Sequence, residues 1–142
     1  MAATNGHLPR FAGRTGGLLL ALALAACERD APRPVRAPRE AVRQLLRCTL
    51  DNLGEEPSAA RVEGAMRFEL RRDRERFAAR AGTCETALET EGGRHACVAR
   101  LRERWARMLT VVQRPAADAI DQDVAIRRIG EAFLEASRSC PE

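Results

Sequence analysis

The stretch VARLRERWARMLTVV, Val98 to Val112, decides the fold. Its apolar residues Val98, Leu101, Trp105, Met108 and Val112 step by three and four, the spacing that lines one side of an α-helix, while arginines and Glu103 fill the other. Pro115 closes the segment, because proline cannot continue the helical hydrogen-bond ladder. A helix with one apolar stripe must bury that stripe against a neighbour, and the flanking sequence offers several. Downstream, Ile126, Ile129, Phe133, Ala136 and Cys140 repeat the same spacing. Asp118, Asp121 and Asp123 stand near the amino end of that helix, where the partial positive charge of the backbone favours carboxylates.

Upstream, Val62, Met66, Leu70 and Phe77 form a thinner stripe that runs from a Ser58 N-cap to the neighbourhood of Gly82 as one helix. The run RRDRER, Arg71 to Arg76, falls inside it and reads as a solvated face with both signs interleaved. Further back, Val42, Leu45, Leu46, Thr49, Leu50 and Leu53 share a face that Gly54 and Pro57 close. Between the second and third helices, TCETALETEGGRH predicts a short helical turn followed by a break at Gly92-Gly93. No alternating strand pattern or Asn-Gly hairpin signal follows residue 38, and no internal repeat is present. The expected fold is therefore all-α: a small bundle of about four helices over residues 39–142.

The amino-terminal part has a different character. Arg10 and Arg14 precede GGLLLALALAA, Gly16 to Ala26, and no acid occurs before Cys27. A basic region, an apolar run and small residues at a cut are the parts of a secretory signal, and this run is about half the roughly 20 residues that a membrane-spanning helix needs. Leu24, Ala25, Ala26 and Cys27 give L-A-A-C, which resembles the lipobox of bacterial lipoproteins. The resemblance covers the first 27 residues or so. It implies that residues 1–26 are removed, that Cys27 carries a diacylglycerol thioether, and that the new amino terminus is acylated. Two or three acyl chains, at about 0.8 kcal/mol per buried methylene, anchor a protein for good. The protein would then face the periplasm from the cell envelope, and Glu28, in place of the Asp associated with inner-membrane retention, leans toward the outer membrane. Residues 27–38 hold Pro32, Pro34 and Pro38 among charges and one large apolar residue, Val35, so they read as an extended, disordered tether with a reach on the order of 30 Å.

Composition narrows the function classes. All 24 basic residues are arginine, which fits GC-rich coding, and the precursor's net charge of +4 falls to +2 once Arg10 and Arg14 leave with the signal. Evenly mixed, near-neutral charge argues against a nucleic-acid partner. With one Trp, four Phe and no Tyr, the core must be built of Leu, Val, Ile and Ala.

Setting Cys27 aside for lipid leaves Cys48, Cys84, Cys97 and Cys140, an even number that in an exported domain reads as two disulfides with three possible connectivities. Cys84 and Cys97 flank a short connection, which favours joining them, and Cys48 with Cys140 then follows by elimination. The competing scheme joins Cys97 to Cys140 across a hairpin of the last two helices. Metal binding is a poor alternative, because no C-x-x-C pair exists and His95 is the one histidine after residue 26. Thiol exchange is disfavoured too, since exchange catalysts place a reactive thiol beside its partner at a helix start, and the spacing shows no such motif.

No residue pattern marks a catalytic site, a metal or a cofactor. Trp105 fits the core stripe, His95 reads as a surface or capping residue, and the pairs Glu69 with Asp73 and Glu85 with Glu89 match ordinary charges on solvated faces. There is no GxSxG, P-loop, HExxH, dinucleotide or haem-attachment motif. The reading that results is a lipid-anchored, non-enzymatic module that contacts the membrane through Cys27 and binds a protein partner in the envelope. The alternatives are an envelope hydrolase using paired carboxylates, or a periplasmic carrier or sensor of an apolar ligand.

Overall fold

The computed structural model describes residues 35–115 and 117–142, and all regular structure among them is helical. Leu24, Ala25, Ala26 and Cys27 lie outside the described residues. Among the described residues there are five α-helices: α1 (Pro38–Thr49), α2 (Ala59–Arg72), α3 (Arg74–Cys84), α4 (Ala99–Val112) and α5 (Ala119–Ser139). Three short 3-10 turns, Glu85–Glu89, Gly92–Arg94 and Ala96–Val98, connect α3 to α4.

α4 and α5 form the antiparallel hairpin that the competing disulfide scheme assumed, and they share the most extensive helix pairing in the domain. α2 lies antiparallel along α5, with Arg67 hydrogen-bonded to Asp123 and Glu63 set against Gly130. Trp105 is at the centre of the core, fully buried with Met66, Leu88, Leu101, Met108, Ile126 and Ile129. Its indole N–H donates to the Ala81 carbonyl of α3 at 3.3 Å, which gives the buried polar tip a partner. α1 covers this assembly with Ala41, Val42, Leu45, Leu46 and Thr49, packing on the 3-10 turns and on α3. Pro38 sits in its first turn, where a missing N–H costs nothing.

Three features depart from the sequence reading. The expected single helix from Ser58 to Gly82 is two helices, because Asp73 leaves the helical conformation (φ −160°, ψ 94°) and caps α3 with its carboxylate, which accepts from the Arg76 amide at 3.0 Å. The RRDRER run therefore straddles a break. It contains no apolar side chain to hold these turns to the core, and an Asp in such a run competes well as a cap. The domain also begins before residue 39: the Val35 carbonyl accepts from the Gly92 amide at 2.9 Å, and Ala37 caps α1, so residues 35–38 are docked and do not belong to the tether.

The disulfides are the third departure. They join Cys48 to Cys84 and Cys97 to Cys140, with Cα separations of 5.6 and 5.3 Å, and not Cys84 to Cys97 and Cys48 to Cys140. Proximity in sequence misled the expected pairing, because three successive 3-10 turns between residues 85 and 98 carry Cys97 away from the end of α3. The α4–α5 hairpin brings Cys97 to Cys140, while α1 crosses α3 so that the carboxyl ends of the two helices meet. Closing loops of 36 and 43 residues stabilises the fold by about 3–4 kcal/mol each in the chain-entropy description.

Close backbone approach explains the Gly92-Gly93 pair. A Cβ on Gly92 would lie 2.5 Å from the Ala37 carbonyl oxygen, and one on Gly93 would lie 2.5 Å from the Ala87 carbonyl oxygen and the Leu88 Cα. Gly64, on α2, meets nothing within 4 Å. Gly93→Ala should accordingly destabilise the domain by about 1–3 kcal/mol. Gly64→Ala should stabilise it by about 0.5–1 kcal/mol by removing a flexible residue from a helix interior. Thermal melts of the two variants against the parent read both signs directly.

Candidate binding groove

A concavity of about 610 Å³ lies where α1, the loop after it and the second half of α5 meet. Its floor is apolar: Val42, Leu46, Leu50, Leu53, Phe133 and Ala136. Each of these projects there for a local reason. Val42 and Leu46 are one helical turn apart on α1, and Phe133 and Ala136 hold the equivalent i, i+3 places on α5. Leu50 and Leu53 sit on a chain that has left the helix. Asn52 (φ 59°) and Gly54 (φ 80°) take left-handed conformations there, and these reverse the loop so that both leucines point inward. Asn and Gly are the residues that adopt this geometry most cheaply.

The two walls carry opposite signs. On the α1 side, Arg39, Arg43 and Arg47 recur at every fourth residue, while the loop side presents Asp51, Glu55 and Glu56. Ion pairs lace the rim. Arg39 Nη1 donates to Glu142 Oε1 at 2.6 Å, and its Nε donates to the Cys140 carbonyl at 2.8 Å. Arg43 lies 3.3 Å from the Glu142 carboxylate, 3.8 Å from Glu40 and 3.8 Å from Glu56. Arg47 reaches Glu40 at 3.3 Å. At the far end Arg80 of α3 grips Asp51 through two nitrogens, at 2.8 and 3.2 Å.

These contacts tune the carboxylates. Hydrogen bonds from Arg39 and then Arg43 hold Glu142 below its ordinary value, and the Arg80 hydrogen bond followed by its charge does the same for Asp51. Both groups accept hydrogen bonds from arginine, which favours their ionised form. The hydrogen bond that Arg43 donates to Glu142, and then the charge of that carboxylate, raise Arg43 in turn.

A second, shallower hollow of about 230 Å³ lies between α4 and α5, lined by Arg104, Arg107, Arg114 and Arg128 with Asp121 and three apolar residues. Neither hollow includes Glu69, Asp73, Glu85 or Glu89, so the carboxylate pairs that could have served acid–base chemistry stand away from both concavities. Asp118 caps α5, accepting from the Ile120 amide at 3.0 Å, and Asp123 accepts from Arg67 at 2.6 Å, so the aspartate cluster does structural work. His95 is exposed and caps the last 3-10 turn, accepting from the Cys97 amide at 3.2 Å. Among the described residues no group of three or more His, Cys, Asp or Glu is placed to hold a metal ion, and no helix is long and apolar enough to cross a membrane.

Sequence reasoning missed the groove. The arginine row was visible as an i, i+4, i+8 pattern, but its floor was not, since every floor residue reads equally well as ordinary core. Comparison of the chain with protein-family models, with curated proteins and with solved structures finds no match.

Because Glu142 is held below its ordinary value, its contribution to stability is complete above the unfolded carboxylate value and is lost as pH falls through the lower folded value. Urea midpoints measured from about pH 5 down to about pH 3 should therefore fall more steeply for the parent than for Glu142→Gln.

Proposed function

We propose that the chain is an exported protein anchored in the bacterial cell envelope through lipid on Cys27, and that it acts there as a non-enzymatic binding module whose groove seats a segment of another envelope protein. The L-A-A-C motif behind a basic and apolar leader supports the address, with Glu28 leaning it toward the outer membrane. The groove carries the role. Its volume falls in the range of sites that bury most of a bound group, and its apolar floor supplies the driving force on desolvation. Arginines on one wall and carboxylates on the other suit a partner that presents both signs around an apolar residue, as a peptide segment does. An apolar carrier site would have no use for charged walls that face each other across the opening. The acids at the rim are tied to arginines in their ionised form, an arrangement suited to recognition more than to proton transfer.

The test uses a photo-crosslinking amino acid placed at Asn52, on the groove loop, or at Arg104, on the other hollow, with each chain expressed in cells. The Asn52 position should trap one envelope protein and the Arg104 position should not. Reversing the rim charge with Arg47→Glu should weaken that capture about tenfold while leaving helicity unchanged. Equal yields at both positions, or crosslinks to lipid alone, contradict the binding role. Cys27→Ser should move the protein from the membrane to the soluble fraction, and its retention in membranes contradicts the anchor.

A further inference from the structure

The two disulfides have different electrostatic surroundings. Cys48 lies in the last turn of α1 and Cys84 is the last residue of α3, so both sulfurs of that bridge stand at helix carboxyl ends. The backbone there carries partial negative charge and opposes a thiolate. Arg80, the cation beside Cys48, is committed to the Cys48 carbonyl and to Asp51. In the second bridge Cys140 caps the carboxyl end of α5, but Cys97 sits in the 3-10 turn Ala96–Val98 that runs directly into the 14-residue α4. The amino end of a helix favours negative charge. His95 Nδ1 lies 3.0 Å from Cys97 Sγ and is held there by accepting the Cys97 amide.

We propose that Cys97–Cys140 is a thiol–disulfide exchange site, with Cys97 as the reacting sulfur, His95 as the group that stabilises its thiolate, and a small thiol or a protein dithiol as the co-reactant. Cys140 is 2% exposed, whereas Cys97 is half-buried and His95 open to solvent, so Cys97 is the more accessible half of the bridge. Its attack forms a mixed disulfide with Cys97 and breaks the bond to Cys140, which leaves as thiolate and takes up a proton. A second thiolate then attacks the outer sulfur of the mixed disulfide. That step releases Cys97 and completes a new disulfide between the two incoming sulfurs. Two thiols are oxidised, one protein disulfide is reduced, and the second proton is taken up at Cys97 Sγ, or at His95 Nδ1 once the ring releases the Cys97 amide. Run in reverse, the Cys97 thiolate is the nucleophile that accepts a disulfide from a partner.

Opening this bridge does not dismantle the hairpin it closes. Leu101, Trp105 and Met108 of α4 share one buried cluster with Ile126, Ile129, Phe133 and Ala136 of α5, so the hairpin does not rest on the bridge alone. Stabilising the reduced form relative to the oxidised one makes a disulfide more oxidising, so the two bridges should separate in a redox titration.

The purified protein is equilibrated with glutathione at a series of reduced-to-oxidised ratios, quenched with acid, alkylated and mapped by mass spectrometry, with helicity followed in parallel. Cys97–Cys140 should open at a reduced-to-oxidised ratio at least about tenfold lower than Cys48–Cys84, equivalent to about 30 mV. Helicity should persist while the first bridge opens. His95→Asn, which keeps an acceptor for the Cys97 amide but lacks the imidazole, should close most of that gap. Opening of both bridges at one ratio, loss of helicity with the first bridge, earlier opening of Cys48–Cys84, or a gap unchanged in His95→Asn each overturn the proposal.

Discussion

α1 is fastened at both ends, and the rest of the domain depends on that clamp. At its carboxyl end the Cys48–Cys84 bridge holds it to the end of α3, with Arg80 donating to the Cys48 carbonyl at 2.7 Å. At its amino end Arg39 reaches the Cys140 carbonyl at the end of α5. Twelve residues make only a marginal helix in water, so α1 persists because it is packed and tied, not because of its own propensity. So held, its inner face covers the core laid down by α3, α5 and the 3-10 turns, and its outer edge supplies one wall of the groove. One face of α1 thus closes the core and the other borders the groove.

The pairing of α4 with α5 was legible because both segments keep strict helical spacing and a proline-marked connection leaves them no choice but to turn back on each other. The same logic gave the all-α class and the core position of Trp105. Where the sequence reading failed, the determinant was a single polar residue or a backbone approach. Asp73 breaks a continuous apolar stripe by capping a helix, an effect that periodicity does not weigh. Gly92 and Gly93 looked like a simple break, whereas they allow Val35 to Ala37 and the Ala87-Leu88 backbone to come within contact, which draws the docked chain back to residue 35. The disulfide pairing observed is the competing scheme, Cys97 to Cys140 across the last two helices; the favoured one gave way because these turns separate Cys97 from Cys84.

The candidate groove shows a different kind of limit. Arg39, Arg43 and Arg47, with Asp51, Glu55 and Glu56, were plain in the sequence as charges, but a concavity is a property of how α1, its loop and α5 stop short of filling space. His95 was read as a capping residue, and it is one. Its contact with Cys97 was invisible, because thiol chemistry was sought in a C-x-x-C motif and not in a histidine two residues before a cysteine that turns into a helix.

The position of α1 is the central claim, and the cysteine pairing reports on it most directly. Proteolysis of the native, unreduced protein after blocking free thiols, followed by mass spectrometry of the linked peptides, should give Cys48 joined to Cys84 and Cys97 joined to Cys140. A peptide joining Cys84 to Cys97, or Cys48 to Cys140, would place α1 elsewhere and remove the wall on which the groove is built.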